Sequence, residues 1–244
     1  MRSANPALNA QVFAKSRGTA EGVMTLNGTV AKTAALLILV VLSAALTWDK
    51  VKAGDPNLMP WMIGGLIGGL VTSIATIFRP QWAAVTGPLY AACQGLFLGV
   101  VSAFFNKMYP GIVVEAVGLT FGTLFALLVA YRSGWIKATE NFKLGVFAAT
   151  GAIGLVYLVT MILNLFQIQV PYIHESGVVG IGFSLFVVVI AALNLVLDFD
   201  FIEQGCESGA PRYMEWYAAF GLMVTLIWLY VEFLRLLSKL RNRN

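Results

Sequence analysis

The residues most able to do chemistry lie in one run, Asn194-Leu195-Val196-Leu197-Asp198-Phe199-Asp200-Phe201-Ile202-Glu203. It closes an apolar stretch of about twenty residues, the length of a membrane span. An ionisable group at membrane depth costs about 2.5–3.5 kcal/mol on insertion scales, so it marks an ion or proton path by default. Carboxylates are also hard oxygen ligands suited to calcium. On a helix, residues two apart point roughly 200° from each other, so Asp198 and Asp200 do not face one another. Asp198 shares a face with Asn194, one turn back. Asp200, Glu203 and Glu207 make a second acidic face. The chemistry this permits is a polar cation path lined by Asp198, with its protonation as the gate. The plainer reading of the same residues is a solvated acidic helix end.

The other polar groups have simpler readings. Glu115 sits where it complements the dipole of a helix start. Glu232 and Arg235, three apart, form a local ion pair near a helix end. Lys32 snorkels to the interface. His174 and Glu175 lie in a loop beside Pro171. Two cysteines, Cys93 and Cys206, make no disulfide framework. With one histidine they are too few and too scattered for a structural zinc site. Enzyme chemistry is not expected. No GxSG, GxGD or HExxH pattern is present, and two aspartates on one helix are not the two-helix dyad of an intramembrane protease.

These residues are positioned by a chain that is 59% apolar and 11% charged, with a mean hydropathy of +0.80. Soluble domains carry roughly 45–50% apolar and about 25% charged residues, so both a soluble enzyme and a disordered chain are excluded. The segments long enough to span are Leu26–Trp48, Leu58–Phe78, Ala83–Phe105, Ile112–Tyr131, Phe142–Phe166, Val178–Phe199 and Met214–Leu237. Breakers divide them: Gly54-Asp55-Pro56, Arg79-Pro80, Pro110-Gly111, Ser133-Gly134, Pro171, and the loop from Gly205 to Pro211. The runs are continuous rather than alternating, which excludes barrel strands, and a helix satisfies its own backbone in lipid. Gly64/Gly68, Gly65/Gly69, Gly95/Gly99 and Gly118/Gly122 repeat the GxxxG spacing of close helix contacts. Trp61, Trp82, Trp135, Tyr213 and Trp216 fall near segment ends, as an interfacial belt does.

The first segment is preceded by polar residues with no signal-peptide core. Within them Leu8, Val12 and Phe13 form one small apolar face. The net charge of +4 reflects Lys and Arg at membrane flanks rather than a nucleic-acid surface. Arg79, Arg132, Lys137, Lys143 and Arg212 lie in loops on the N-terminal side, which favours that side as cytoplasmic. Lys239, Arg241 and Arg243 pull the other way.

From the sixth segment onward the sequence resembles the Bax-inhibitor-like (transmembrane Bax inhibitor motif, TMBIM) family, in its bacterial, YccA-like branch. The resemblance is carried by Ala191-Ala192-Leu193-Asn194-Leu195-Val196-Leu197-Asp198-Phe199-Asp200-Phe201-Ile202-Glu203 and by Gly209-Ala210-Pro211-Arg212-Tyr213-Met214-Glu215-Trp216-Tyr217-Ala218-Ala219-Phe220-Gly221. Asn5-Pro6, Tyr109-Pro110-Gly111-Ile112 and the seven-span layout also match. It covers most of the chain, specifically in the last third and diffusely before it. It implies a seven-helix fold with the last helix central, and a pH-sensitive calcium leak. It also implies an aspartate pair, one at the end of the sixth helix and one on the seventh. Asp198 takes the first position. The second falls near Thr225, and no acid occurs from Gly221 to Val231. The shared-proton pair of those relatives therefore cannot form here. Asp200 or Glu115 would have to substitute, or the gate is absent.

The expectation is an all-α, multi-pass protein of the bacterial inner (plasma) membrane. It comprises a polar tail at 1–25, a seven-helix domain at 26–238 and a basic tail at 239–244. Its function is a cation (calcium) leak. Asp198 is the main pore carboxylate, Asp200 and Glu115 are secondary, and Asn194 and Thr225 are neutral oxygen partners. Any calcium bound at Asp198 and Asp200 is the permeant ion, and no cofactor is expected. The partners are the lipid bilayer and cations, not nucleic acid. The alternative is a non-conducting protein that binds and regulates another membrane protein, such as a quality-control protease. A secondary transporter is disfavoured, because no internal repeat is visible.

Overall fold

The computed structural model describes residues 22–166 and 177–243. The tail residues Leu8, Val12 and Phe13 and the loop residues Pro171, His174 and Glu175 lie outside these. The described chain contains seven long helices: α1 (Leu26–Lys52), α2 (Leu58–Phe78), α3 (Ala83–Met108), α4 (Ile112–Arg132), α5 (Glu140–Leu165), α6 (Val178–Glu207) and α7 (Met214–Asn242). Each is long and apolar enough to cross a membrane, so the expected spans all appear. Their starts follow local chemistry. Thr25 and Thr139 cap α1 and α5 through their hydroxyls. Gly111, at φ 85°, makes the left-handed turn into α4.

The ends of α6 and α7 depart from expectation. Both run past their apolar stretches, to Glu207 and Asn242, because hydropathy marks membrane thickness and not the end of helical backbone. Lys239 and Arg241, expected in a tail, are therefore helical. Residues 22–24 are not free either. The Met24 amide donates to the Ala210 carbonyl at 2.7 Å, and the Arg212 amide to the Gly22 carbonyl at 3.3 Å.

The chain divides into two compact units. The first holds α1, α2 and α3 up to Val101, with Asp200–Met223. The second holds the rest of α3 from Ser102, then α4, α5, α6 up to Phe199, and α7 from Val224.

In the first unit the buried face of α1 is Thr29, Thr33, Leu36, Val40, Ser43 and Thr47, alternating steps of four and three. That is a heptad seam made mostly of small hydroxyl residues. Thr29, Thr33 and Ser43 each donate to a carbonyl one turn back in their own helix, so the seam buries no unmet hydroxyl there. Opposite it, a Cβ added at Gly95 would overlap Ser43 and the Val40 carbonyl, and one at Gly99 would overlap Thr47 and the Ala44 carbonyl. On α2, a Cβ at Gly65 would lie 2.6 Å from the Cys93 carbonyl oxygen. The glycine spacing thus marks close contacts for these pairs.

In the second unit the buried faces are Ile112, Ala116 and Thr120 on α4, and Val146, Ile153 and Thr160 on α5. Gly118 and Gly122 meet nothing within 4 Å, so this GxxxG pair makes no close contact among the described residues, contrary to expectation. Large apolar side chains such as Phe125, Leu144, Phe147 and Leu165 point outward. Large apolar groups outside, with small and hydroxyl residues among the aliphatic ones inside, suit lipid, which gives no hydrophobic drive for burial. Along α7, Arg235 alone is exposed between Met214 and Lys239. That is the burial expected of a central helix.

Candidate functional site

Asp198 lies nine residues before the end of α6, about 14 Å along the helix from its last residue. It is half-buried. The Thr225 hydroxyl, on α7, donates to its carboxylate. Its Oδ2 is buried without a hydrogen-bond partner among the described residues. One turn back, Asn194 Nδ2 donates to Thr150 Oγ1 on α5 at 2.8 Å and to the Ile190 carbonyl at 2.8 Å. Both Asp198 and Asn194 therefore face neighbouring helices within the second unit, and the solvated helix end is not their setting.

The register of α6 against α7 fixes this geometry. Lys239 Nζ donates to Ser184 Oγ at 2.9 Å and to the Gly180 carbonyl at 3.0 Å. From Thr225 to Lys239 on α7 is the same length of helix as from Asp198 back to Ser184 on α6. The two helices thus run antiparallel and in step between these anchors.

Midway between the anchors on α7 stands Glu232, 1% exposed. Its Oε1 accepts from the Tyr157 hydroxyl at 3.0 Å and from Arg235 Nη1 at 2.9 Å. Its Oε2, like Asp198 Oδ2, is buried without a hydrogen-bond partner among the described residues. The Arg235 guanidinium lies over the Tyr157 ring, 5.2 Å from its centroid. The pairing of Glu232 with Arg235 is as expected; its depth is not. Tyr157 follows Thr150 by seven residues, as Glu232 follows Thr225, so on each helix the two polar groups share a face about 10 Å apart along the axis. Ile153, Val187 and Ile190 form a buried apolar cluster in the same unit, packed with Phe183, Leu193 and Trp228.

The remaining expected residues fall elsewhere. Asp200 is on the other side of α6, which continues helical through it, and accepts from Gln204 Nε2 at 2.5 Å. No group of three or more His, Cys, Asp or Glu placed to hold a metal occurs among the described residues. Glu115 is 50% exposed and pairs with Arg241 Nη2 at 2.6 Å, while Arg241 Nη1 donates to the Pro110 carbonyl. Its carboxylate secures the end of α7 and is not brought to Asp198.

The first unit holds an acid that the sequence reading passed over. Glu215, 2% exposed, accepts from the Thr25 amide at 2.9 Å, the Thr25 hydroxyl at 2.8 Å and Lys32 Nζ. Lys32 is thus ion-paired inside rather than reaching for the interface; it also lies 5.5 Å from the Trp216 ring centroid. Gly28 makes room, since a Cβ there would overlap the Glu215 carboxylate.

The family model described as Bax inhibitor 1 like matches residues 5–242. This chain belongs to that family. No curated protein matches it, and no solved structure does. In this Bax inhibitor 1 like protein, an integral membrane protein of several passes, Asp198 meets a hydroxyl, from Thr225, where the resemblance implies a second acid. The nearest acid further along α7 is Glu232, on the same face. Its signal was legible as a seven-residue repeat, Thr225, Glu232, Lys239, along a mostly apolar helix. The i,i+3 spacing to Arg235 hid it by suggesting a helix end.

Proposed function

We propose that the protein is a cation leak of its membrane, with calcium as the permeant ion and Asp198 as the principal carboxylate, and that it does no enzyme chemistry. The observation that carries this reading is the buried Oδ2 of Asp198, a carboxylate oxygen without a donor among the described residues, close to the end of the sixth apolar span. Such groups are costly to bury and are kept where an ion or proton visits them. Asn194, Thr150 and Thr225 supply neutral oxygens beside it. The apolar cluster of Ile153, Val187 and Ile190 keeps water out of this part of the unit when the path is closed. Protonation of Asp198 removes the charge that draws the cation in. With Thr225 in place of a second acid, the pH response is shallower than that of relatives with two. By composition and resemblance, the membrane is the bacterial plasma membrane.

The test is calcium flux into liposomes holding the purified protein at about pH 6 and about pH 8, beside Asp198→Asn. Flux that varies with pH and falls in the variant supports the reading. Absence of flux above empty liposomes, with the protein folded, overturns it and leaves the non-conducting regulator of another membrane protein.

A further inference from the structure

The described part of the protein contains two buried side-chain polar atoms without a partner, Asp198 Oδ2 and Glu232 Oε2. Both belong to carboxylates, both lie in the second unit, and Glu232 stands seven residues along α7 from Thr225, the residue that meets Asp198. A buried carboxylate normally has all its acceptor positions met by donors. One isolated exception has many causes. Two in one unit, about 10 Å apart along α7, point to a common one: a positively charged visitor that stops at each.

We propose that Glu232 is a second cation position on the leak path and that Arg235 holds it in the resting state as a tethered counter-ion. The proposal deepens the leak reading and rests on it. Arg235 suits this role because its side chain is 46% exposed while Glu232 is 1% exposed. The guanidinium can swing off Glu232 at the protein surface without crossing the interior. It binds only Oε1, so a cation can approach at Oε2 before Arg235 has left. The Tyr157 hydroxyl, now donating to Oε1, can turn its own oxygen to the ion. Lys239 stands near enough for Glu232 to act on its charge, yet its ammonium is held by Ser184 and Gly180. Arg235 is then the cation that yields. One carboxylate with one hydroxyl makes a weak site, which is what conduction requires: an ion must bind well enough to enter and loosely enough to leave.

The experiment uses the full chain. Terbium serves as a calcium-sized probe whose luminescence is excited through Trp228 and Tyr157 near the site. Titrations in detergent and calcium flux in liposomes are run for wild type, Asp198→Asn, Arg235→Gln and Arg235→Gln with Glu232→Gln. The last variant removes both charges together and leaves no lone ion buried. Arg235→Gln is expected to bind terbium about tenfold more tightly and to leak several-fold faster, and the double variant to lose both gains. A gain that persists in the double variant overturns the proposal, because it would not need the Glu232 carboxylate. So does Arg235→Gln with unchanged terbium affinity in a folded protein, confirmed by its thermal unfolding. Failure of the leak reading is distinguishable. Wild type without flux, in which Arg235→Gln still tightens terbium in a Glu232-dependent way, would keep the binding position and sink the path.

Discussion

Glu215 in the first unit and Glu232 in the second lie on the same helix, and both are almost wholly buried, at 2% and 1% exposure. Their surroundings are opposite. Glu215 receives two bonds from Thr25 and one from Lys32, shared across both its oxygens. Glu232 and Asp198 each keep one buried oxygen without a donor among the described residues. The difference separates two uses of a buried charge. A saturated carboxylate holds chain segments together, here the start of α7 against the residues leading into α1. An unsaturated one keeps a place for something that comes and goes. Burial alone does not tell them apart; the count of donors does.

The comparison can be broken at either end. The largest expected effect is Glu215→Ala. It strands the Lys32 ammonium, 17% exposed, and should cost about 3–5 kcal/mol in detergent unfolding. A loss below about 1 kcal/mol would show that the pair holds nothing. Replacing Lys32 by Met and Glu215 by Leu together should recover most of that loss, since no lone charge remains. Next comes Asp198→Asn, expected to lower calcium flux about tenfold or more, an effect of about 1.4 kcal/mol, while leaving unfolding nearly unchanged. If stability collapsed instead, Asp198 would belong with Glu215 as a structural acid. Thr225→Val removes one hydroxyl from the site and should cost about 1 kcal/mol, with flux altered a few-fold. The smallest effect belongs to Glu115→Gln at the exposed pair with Arg241. It should change unfolding by about 0.5 kcal/mol or less, because solvent screens that pair.

The helices were legible because apolar length and breakers are local signals: all seven spans from Leu26 to Leu237 stand where the pattern places them. Asp198, Asn194 and Thr225 were legible in part, as two residues on one helical face and a neutral residue at a family position. The long-range partners were not. Nothing near Glu215 in the chain announces Thr25 and Lys32, which come from the other end of the sequence. Lys32 looks like an interfacial lysine because its partner lies 183 positions away. Likewise the spacing of Gly118 and Gly122 equals that of Gly95 and Gly99, and only the last two meet a neighbouring helix closely. Spacing tells which side of a helix a residue occupies; the fold decides what stands opposite.

The matched anchors of α6 and α7 make the pair behave as a ruler. Thr225 reads Asp198 at one end and Lys239 reads Ser184 at the other. One residue inserted between the anchors on either helix would turn everything beyond it by about 100° and shift it by about 1.5 Å. It would unhook one anchor whichever way the helix slid to save the other. Changes of side chain along this stretch can be absorbed by repacking, but changes of length cannot. Divergent copies of this protein should therefore vary in sequence between Thr225 and Lys239 while keeping the number of residues there fixed.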